Sequence, residues 1–158
     1  SVMFYLTSYA LMSLGAFAIV VYIARKGERF VEINDLAGLS QRQPLVAALF
    51  VIFLLSFTGI PLTAGFFGKF YIFKAALDAN LVWLAVLGML NSAVAAYYYL
   101  RIIVVMSMQS PVEGAEELPE LTAGVRIAIL ASAVITIVLG IFPSFVLDYA
   151  GKSAASIR

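Results

Sequence analysis

Four long segments without a charged side chain constrain this sequence more than any other feature. They are residues 1–24, 43–68, 79–100 and 127–147, with lengths of 24, 26, 22 and 21 residues. A helix needs about 20 mainly apolar residues to cross the hydrocarbon core of a bilayer. None of the segments shows the alternation of apolar and polar residues that is typical of membrane β-barrel strands. Each segment is therefore a candidate membrane-spanning helix.

The composition supports a membrane protein and excludes several functions. Hydrophobic residues make up 63% of the chain and charged residues 12%, about half the charged share of a soluble domain. The net charge of +1 provides no basic surface for nucleic acid. Without cysteine or histidine the chain has no disulfide, thiolate zinc site, cysteine-bound iron–sulfur cluster, ordinary haem ligand or imidazole catalyst. We therefore predict an all-α integral membrane protein that contacts lipid, binds no nucleic acid and holds no cofactor or metal in this chain.

The second segment and its continuation predict two short helices. Between residues 44 and 77 only Lys69 and Lys74 are charged, and this stretch is too long for one helix. The sequence TGIP at 58–61 divides it, because proline disfavours helix at the preceding residue and fits the first turn of a new helix. The sequence thus predicts five helices, at about 3–24, 45–58, 61–78, 81–106 and 122–142. The second and third are short for a full crossing.

Two connections are long enough to reach water. Residues 25–43 contain four basic and three acidic side chains, whereas residues 109–121 contain four glutamates and no basic side chain. By the positive-inside rule the first connection is cytoplasmic. With five spans the two connections lie on opposite faces of the membrane, which agrees with their contrast in charge. The consecutive tyrosines Tyr97, Tyr98 and Tyr99 are interpreted mostly as anchors at the membrane interface.

The start of the chain is unusual for a membrane protein. Ser1 lies inside an apolar stretch, with neither an initiator methionine nor a basic signal-peptide region. We therefore expect residues 1–158 to be one transmembrane segment of a larger subunit.

Lys69 is the most informative residue of the sequence. It lies eight residues after Pro61 and eleven before Asn80, which is roughly 12 Å and 16 Å from the ends of the predicted third helix. A lysine at this depth costs at least about 2.5 kcal/mol, so such a residue normally faces the interior of the bundle or water and is a candidate functional residue. Unlike arginine, a desolvated lysine can release its proton.

The residues around Lys69 predict a break in the helix. The sequence GIPLTAGFFGK at 59–69 contains three glycines and a proline, which weaken a helix. Broken helices at membrane depth occur where the backbone lines a cavity. The alternative is a structural Lys69 that extends to the headgroups or pairs with a buried carboxylate. Lys74 has a simpler interpretation, because Asp78 follows one helical turn later and can pair with it.

Three strings carry a resemblance to a known family. FYLTSYALMSLGAFAIV, LSFTGIPLTAGFFGKFYIFKAAL and NSAVAAYYYLRI resemble, in order, the C-terminal part of subunit N of respiratory complex I, the type I NADH:quinone oxidoreductase, whose mitochondrial counterpart is subunit 2. The resemblance extends from about residue 4 to residue 143. The glycine–proline–lysine string is shared with related antiporter-like subunits and with Mrp-type cation/proton antiporters. The YYYLRI ending is more particular to subunit N.

The resemblance implies a fold and a role for Lys69. The family has fourteen core helices with two inverted five-helix repeats, and this segment would be helices ten to fourteen of a larger antiporter-like bundle, with its third helix discontinuous. Lys69 matches the family lysine on the broken helix, which passes a proton toward the far side of the membrane during quinone reduction. Family parity would place residues 25–43 on the outer face and residues 109–121 on the cytoplasmic face, opposite to the positive-inside rule.

The resemblance also implies a function, partners and a location. The chain would belong to a proton-translocating subunit of NADH:quinone oxidoreductase, an enzyme whose flavin, iron–sulfur clusters and quinone are held by partner subunits. Its partners would be other membrane-arm subunits, in a bacterial inner membrane or, alternatively, an organellar one. One alternative function is a subunit of a stand-alone Mrp-type antiporter. Another is a scaffold of the membrane arm, in which Lys69 can be replaced without loss of activity.

Overall fold

The computed structural model describes residues 2–24, 32–111 and 120–142, and their regular structure is entirely helical. The longer elements are α1 (Val2–Ile23), α3 (Pro44–Thr58), α4 (Ala64–Asp78), α5 (Val82–Met108) and α6 (Ala123–Ile141). A 3-10 turn (Ile33–Leu36) and the short helix α2 (Leu39–Arg42) lie between α1 and α3. The prediction of an all-α membrane fold is confirmed, and the ends of the five predicted helices agree with the structure to within three residues.

Helix length separates the elements into two groups. Helices α1, α5 and α6 have 22, 27 and 19 residues and are apolar enough to cross a membrane. They are about 33, 40 and 28 Å long, against about 30 Å for a bilayer core. Helices α3 and α4 have 15 residues each, which gives only about 22 Å. Neither α3 nor α4 can span the bilayer alone.

Helices α3 and α4 follow one another along the same side of α1. The ring of Phe4 near the start of α1 lies 6.1 Å from that of Tyr71 in α4. Further along α1, Gly15 packs against the ring of Phe53 in α3. Residue numbers thus rise along α1 as they fall along α3 and α4, so both short helices run antiparallel to α1. Together they form one interrupted span, with the interruption between α3 and α4 rather than inside α4.

This arrangement corrects the predicted sides of the two long connections. The Ser40 hydroxyl in α2 donates to the carbonyl of Ser107 in α5 at 3.5 Å, and Gly38 lies against Pro111. The described ends of the two connections therefore meet at the same end of the bundle. The prediction of opposite faces is wrong, because only two spans, α3 with α4 and then α5, separate the connections. Residues 25–31 and 112–119, which carry much of the contrast in charge, lie outside the described residues.

The break between α3 and α4 has a local cause. Gly59 has φ 90° and closes α3: its N–H donates to Ser56 O at 3.0 Å, while the N–H of Ile60 donates to Leu55 O at 3.2 Å. This pattern is a Schellman motif, which favours glycine. Leu62 also has a positive φ, 75°, which a non-glycine residue rarely adopts. The third helix therefore begins three residues later than predicted, at Ala64.

The opposite end of the bundle is an apolar core. The second half of α1, all of α3 and the ends of α5 and α6 meet there with the 3-10 turn and α2. Its fully buried large side chains include Ile19, Leu39, Phe53, Met106 and Ile129. Burial of such side chains fixes α3 firmly against α1, so the break at residues 59–63 occurs at the end of a rigid helix.

Candidate functional site

Lys69 lies in the second turn of α4, beside the C-terminal end of α3. Its side chain is partly buried, and Nζ donates to the carbonyl oxygens of Phe57 at 2.7 Å and Thr58 at 3.1 Å. These are the last two carbonyls of α3, which the Schellman motif leaves without a backbone partner. The C-terminus of a helix carries a partial negative charge, so the ammonium is stabilised by the backbone of α3.

The partners of Lys69 bear on one alternative that the sequence left open, the pairing of Lys69 with a buried carboxylate. Within the described ranges no carboxylate contacts Lys69, and both of its acceptors are carbonyl oxygens. The side chain extends toward the C-terminal end of α3, where both acceptors lie. An ammonium has three N–H donors, so one donor is left without a protein acceptor in the described part of the chain.

Lys69 lines a cavity of about 150 Å³ at the level of the break. The cavity lies where α1 and α5 flank the junction of α3 and α4. Its apolar wall is formed by Met12, Phe57, Gly65 and Ala95. Its polar lining is formed by Tyr5, Tyr9, Ser56, Lys69, Asn91, Ser92 and Tyr99. In a chain that is 63% hydrophobic, this concentration of polar side chains at one level makes the cavity the candidate functional site.

Gly65 holds the two short helices together at the cavity wall. A Cβ at this position would overlap the carbonyl oxygen of Ser56. The Gly65 N–H donates to Ser56 Oγ at 3.1 Å, and the Ser56 hydroxyl donates to the Met12 sulfur at 2.6 Å. The close approach of α4 to α3 therefore requires glycine at position 65, and it keeps Lys69 within reach of the carbonyls of α3.

Tyr99 is a cavity-lining residue that sequence reasoning missed. Tyr97 and Tyr98 are 63% and 54% exposed, as expected for anchors at a membrane surface. Tyr99 instead stacks on the ring of Phe57 at 5.4 Å between ring centroids and lines the cavity. A signal was available, because Asn91, Ser92 and Tyr99 follow helical spacing and place polar side chains on one face of an otherwise apolar helix.

The remaining charged residues of α4 lie away from the site. Lys74 and Asp78 are both exposed, and no ion pair joins them in the residues described. In the same ranges the structure contains no cluster of three or more acidic side chains that could hold a metal ion. Lys69 is thus the charged side chain that the described part of α4 places in the bundle interior.

Residues 1–95 of the chain match a known family of membrane proteins. The family model described as NADH:quinone oxidoreductase/Mrp antiporter, transmembrane, matches residues 1–95. The chain belongs to this family. Among family members, NADH-quinone oxidoreductase subunit N 1 of Solibacter usitatus is 57% identical over 99% of the chain. Subunit N of Trichlorobacter lovleyi is 42% identical over 99%. These relatives confirm the resemblance to subunit N, and the chain covers 32% of the length of each.

Solved structures of the family have the same fold. A chain of respiratory complex I from Thermus thermophilus matches 92% of this chain with a TM-score of 0.80 and 34% identity. A chain of the Mrp complex from a Dietzia species matches 96% with a TM-score of 0.77 and 24% identity, which indicates a shared fold only. This chain covers 33% and 36% of those two chains. It therefore spans about a third of the length of the family members it matches.

Proposed function

We propose that this chain is part of a proton-translocating membrane subunit of NADH:quinone oxidoreductase, and that Lys69 relays protons within it. Relatives named as subunit N support the assignment to this enzyme, with identities of 57% and 42%. The observation that carries the proposal is the placement of Lys69. Its ammonium stands at a helix break inside the bundle, hydrogen-bonded to two backbone carbonyls and open to a polar cavity.

The surroundings of Lys69 suit a group that gains and loses a proton. The carbonyls of Phe57 and Thr58 stabilise the ammonium, whereas removal from water disfavours a charge in the membrane. A carbonyl oxygen accepts a hydrogen bond but has no proton to pass on. The proton therefore arrives and leaves through the N–H that faces the cavity, and the amine left behind accepts the next one. A shift of α4 against α3 would change these contacts and hence the proton affinity of Lys69.

The proposal assigns electron transfer to other subunits. Flavin, iron–sulfur clusters and quinone would be bound by partner subunits, and the chain would pack against other membrane-arm subunits in the bacterial inner membrane. Lys69 would respond to quinone reduction through those partners. Since the chain spans about a third of its relatives, it would supply one part of the proton path.

The main competing function is structural. As a cap on the C-terminus of α3, Lys69 could hold the break together without exchanging protons. A stand-alone Mrp-type antiporter is the other alternative, supported by the shared fold. Co-purification of the full-length subunit with flavin- and cluster-bearing subunits would distinguish the oxidoreductase from the antiporter.

The experiment is proton pumping by membrane vesicles that carry Lys69→Ala in the full-length subunit. Lys74→Ala is the matched control, because Lys74 lies on the same helix but is exposed. Assembly of the complex is checked on native gels. We expect NADH-driven acidification to fall at least about tenfold in Lys69→Ala, as for loss of an acid–base group, and to stay normal in Lys74→Ala. Normal pumping by assembled Lys69→Ala would contradict the proposal.

A further inference from the structure

Three phenol side chains surround the cavity that Lys69 lines. The rings of Tyr5 and Tyr9 stack at 5.8 Å, Tyr9 meets Phe57 at 5.7 Å, and Phe57 stacks on Tyr99 at 5.4 Å. The rings form a continuous row from α1 through α3 to α5. The row passes beside the residue whose carbonyl accepts the hydrogen bond from Lys69, because Phe57 supplies both the ring and the carbonyl.

The hydroxyl groups of this row are available for hydrogen bonding inside the cavity. In the described part of the chain none of the three phenols makes a hydrogen bond to the protein. Tyr5 and Tyr99 are partly buried, and a buried tyrosine hydroxyl normally has a partner. The cavity of about 150 Å³ has room for several water molecules, since one needs about 10–15 Å³. Water in the cavity would connect the phenols to one another and to Lys69.

The packing of the helices shows from which side the cavity can be reached. Helices α1 and α5 lie on either side of α3 and α4, and the cavity occupies the gap between them. Tyr9 is 46% exposed and Asn91 is exposed, so these residues of α1 and α5 border the cavity on the face that this segment leaves uncovered. Lys69 is reached from this face of the bundle and not from the apolar core at the other end of α3.

We propose that Tyr5, Tyr9 and Tyr99 carry protons between Lys69 and the face between α1 and α5, which this segment leaves uncovered for contact with the rest of the subunit. A phenol hydroxyl both donates and accepts, so each one takes up a proton on one side as it releases its own on the other. One proton moves along the row in each transfer, after which each hydroxyl rotates back. Lys69, left as the neutral amine, becomes an ammonium again when it takes up the next proton. Asn91 accepts and donates hydrogen bonds and orients water at this face. The proposal rests on the proposed function of Lys69.

The test removes only the hydroxyl groups. Tyr5→Phe, Tyr9→Phe, Tyr99→Phe and the triple variant keep the ring packing and are made in the full-length subunit of the assembled complex. Tyr97→Phe and Tyr98→Phe are matched controls, since these tyrosines are exposed and do not line the cavity. Proton pumping is measured together with its solvent hydrogen/deuterium isotope effect, which a change in packing alone would not alter.

The outcomes separate this proposal from the one on which it rests. We expect the triple variant to pump at least about tenfold more slowly, single variants to show smaller losses with an altered isotope effect, and both controls to behave normally. Normal rates and isotope effects in all cavity variants, beside loss of pumping in Lys69→Ala, would overturn the tyrosine path and leave Lys69 as the relay. Normal pumping in Lys69→Ala would overturn both proposals.

Discussion

The two halves of helix α1 differ in what they pack against: one faces an unbroken helix and the other faces a break between two helices. In the apolar half, from Gly15 to Ile23, α1 packs on unbroken α3 helix through fully buried apolar side chains. In the polar half, from Tyr5 to Met12, α1 faces the junction of α3 and α4 and lines a cavity. An unbroken helix satisfies its own backbone, whereas a broken one frees carbonyls that require donors. The polar side chains therefore gather where the partner helix is interrupted.

A glycine permits close packing beside each half of α1, but the group that it packs against differs. Gly15 in the apolar half admits the ring of Phe53, a side chain that can shift. Beside the polar half, Gly65 of α4 lies against the backbone carbonyl of Ser56 in α3, which cannot shift as freely as a side chain. The apolar half thus depends on packing, and the polar half depends on the geometry of the backbone at the break. Variants in the two halves should have different consequences.

The largest expected effect concerns which side of the membrane each half approaches. The test uses three single cysteine variants at exposed positions. Two of them, Gln41→Cys and Ser110→Cys, lie beyond the apolar half of α1, and the third, Asn80→Cys, lies at the turn beyond the polar half. With α3 and α4 as one span, a membrane-impermeant thiol reagent should label the first two from one side and the third from the other. This segment has no native cysteine. Labelling of Gln41→Cys and Ser110→Cys from opposite sides would restore the five-span topology.

The next largest effect is a loss of stability when the Phe53 ring of α3, which packs against the apolar half of α1, is removed. Phe53 is fully buried, so Phe53→Ala should destabilise the assembled complex by about 3–5 kcal/mol. Phe53→Leu leaves a smaller void and should cost less. Thermal unfolding of the purified complex measures both, and proton pumping per assembled complex should not change. A lower pumping stoichiometry in intact Phe53→Ala complex would show that the apolar half takes part in proton transfer.

A smaller loss of stability, with a loss of function, is expected at the break. In Gly65→Ala the added methyl group meets the Ser56 carbonyl, and overpacking of this kind costs about 1–3 kcal/mol. It also moves Lys69 away from its acceptors, so pumping should fall even in assembled complex. Gly124→Ala in α6 is the control, because a Cβ there has no neighbour within 4 Å. If Gly65→Ala complex unfolded at the same temperature and pumped at the same rate as the unaltered complex, the close approach of α4 to α3 would be contradicted.

The sequence predicts the helices well because their ends depend on local residues. Charge-free segments, Gly59 and Pro61 are sufficient to locate the five helices and the break between α3 and α4. The pairing of α3 and α4 into one span could not be predicted, because a turn sequence does not determine the direction in which the next helix leaves. That pairing alone reversed the relative sides of the two long connections.

The candidate site shows the same division between local and tertiary information. Lys69 stood out because a charge in an apolar helix is costly. Its acceptors could not be predicted, since backbone carbonyls have no signature in the sequence. Tyr99 was grouped with Tyr97 and Tyr98 because three consecutive residues fan around a helix. The helical spacing of Tyr99 with Asn91 and Ser92 separates it from the other two, and the structure adds its contact with Phe57 on the neighbouring helix.

The most direct test of the central claim is Lys69→Arg in the full-length subunit. Arginine keeps a cation that can donate to the carbonyls of Phe57 and Thr58, but it does not release its proton under these conditions. If Lys69 relays protons, Lys69→Arg complex should assemble normally and pump at least about tenfold more slowly than the unaltered complex. Normal pumping by Lys69→Arg would mean that position 69 needs only a positive charge to cap α3, and the relay assignment would be wrong.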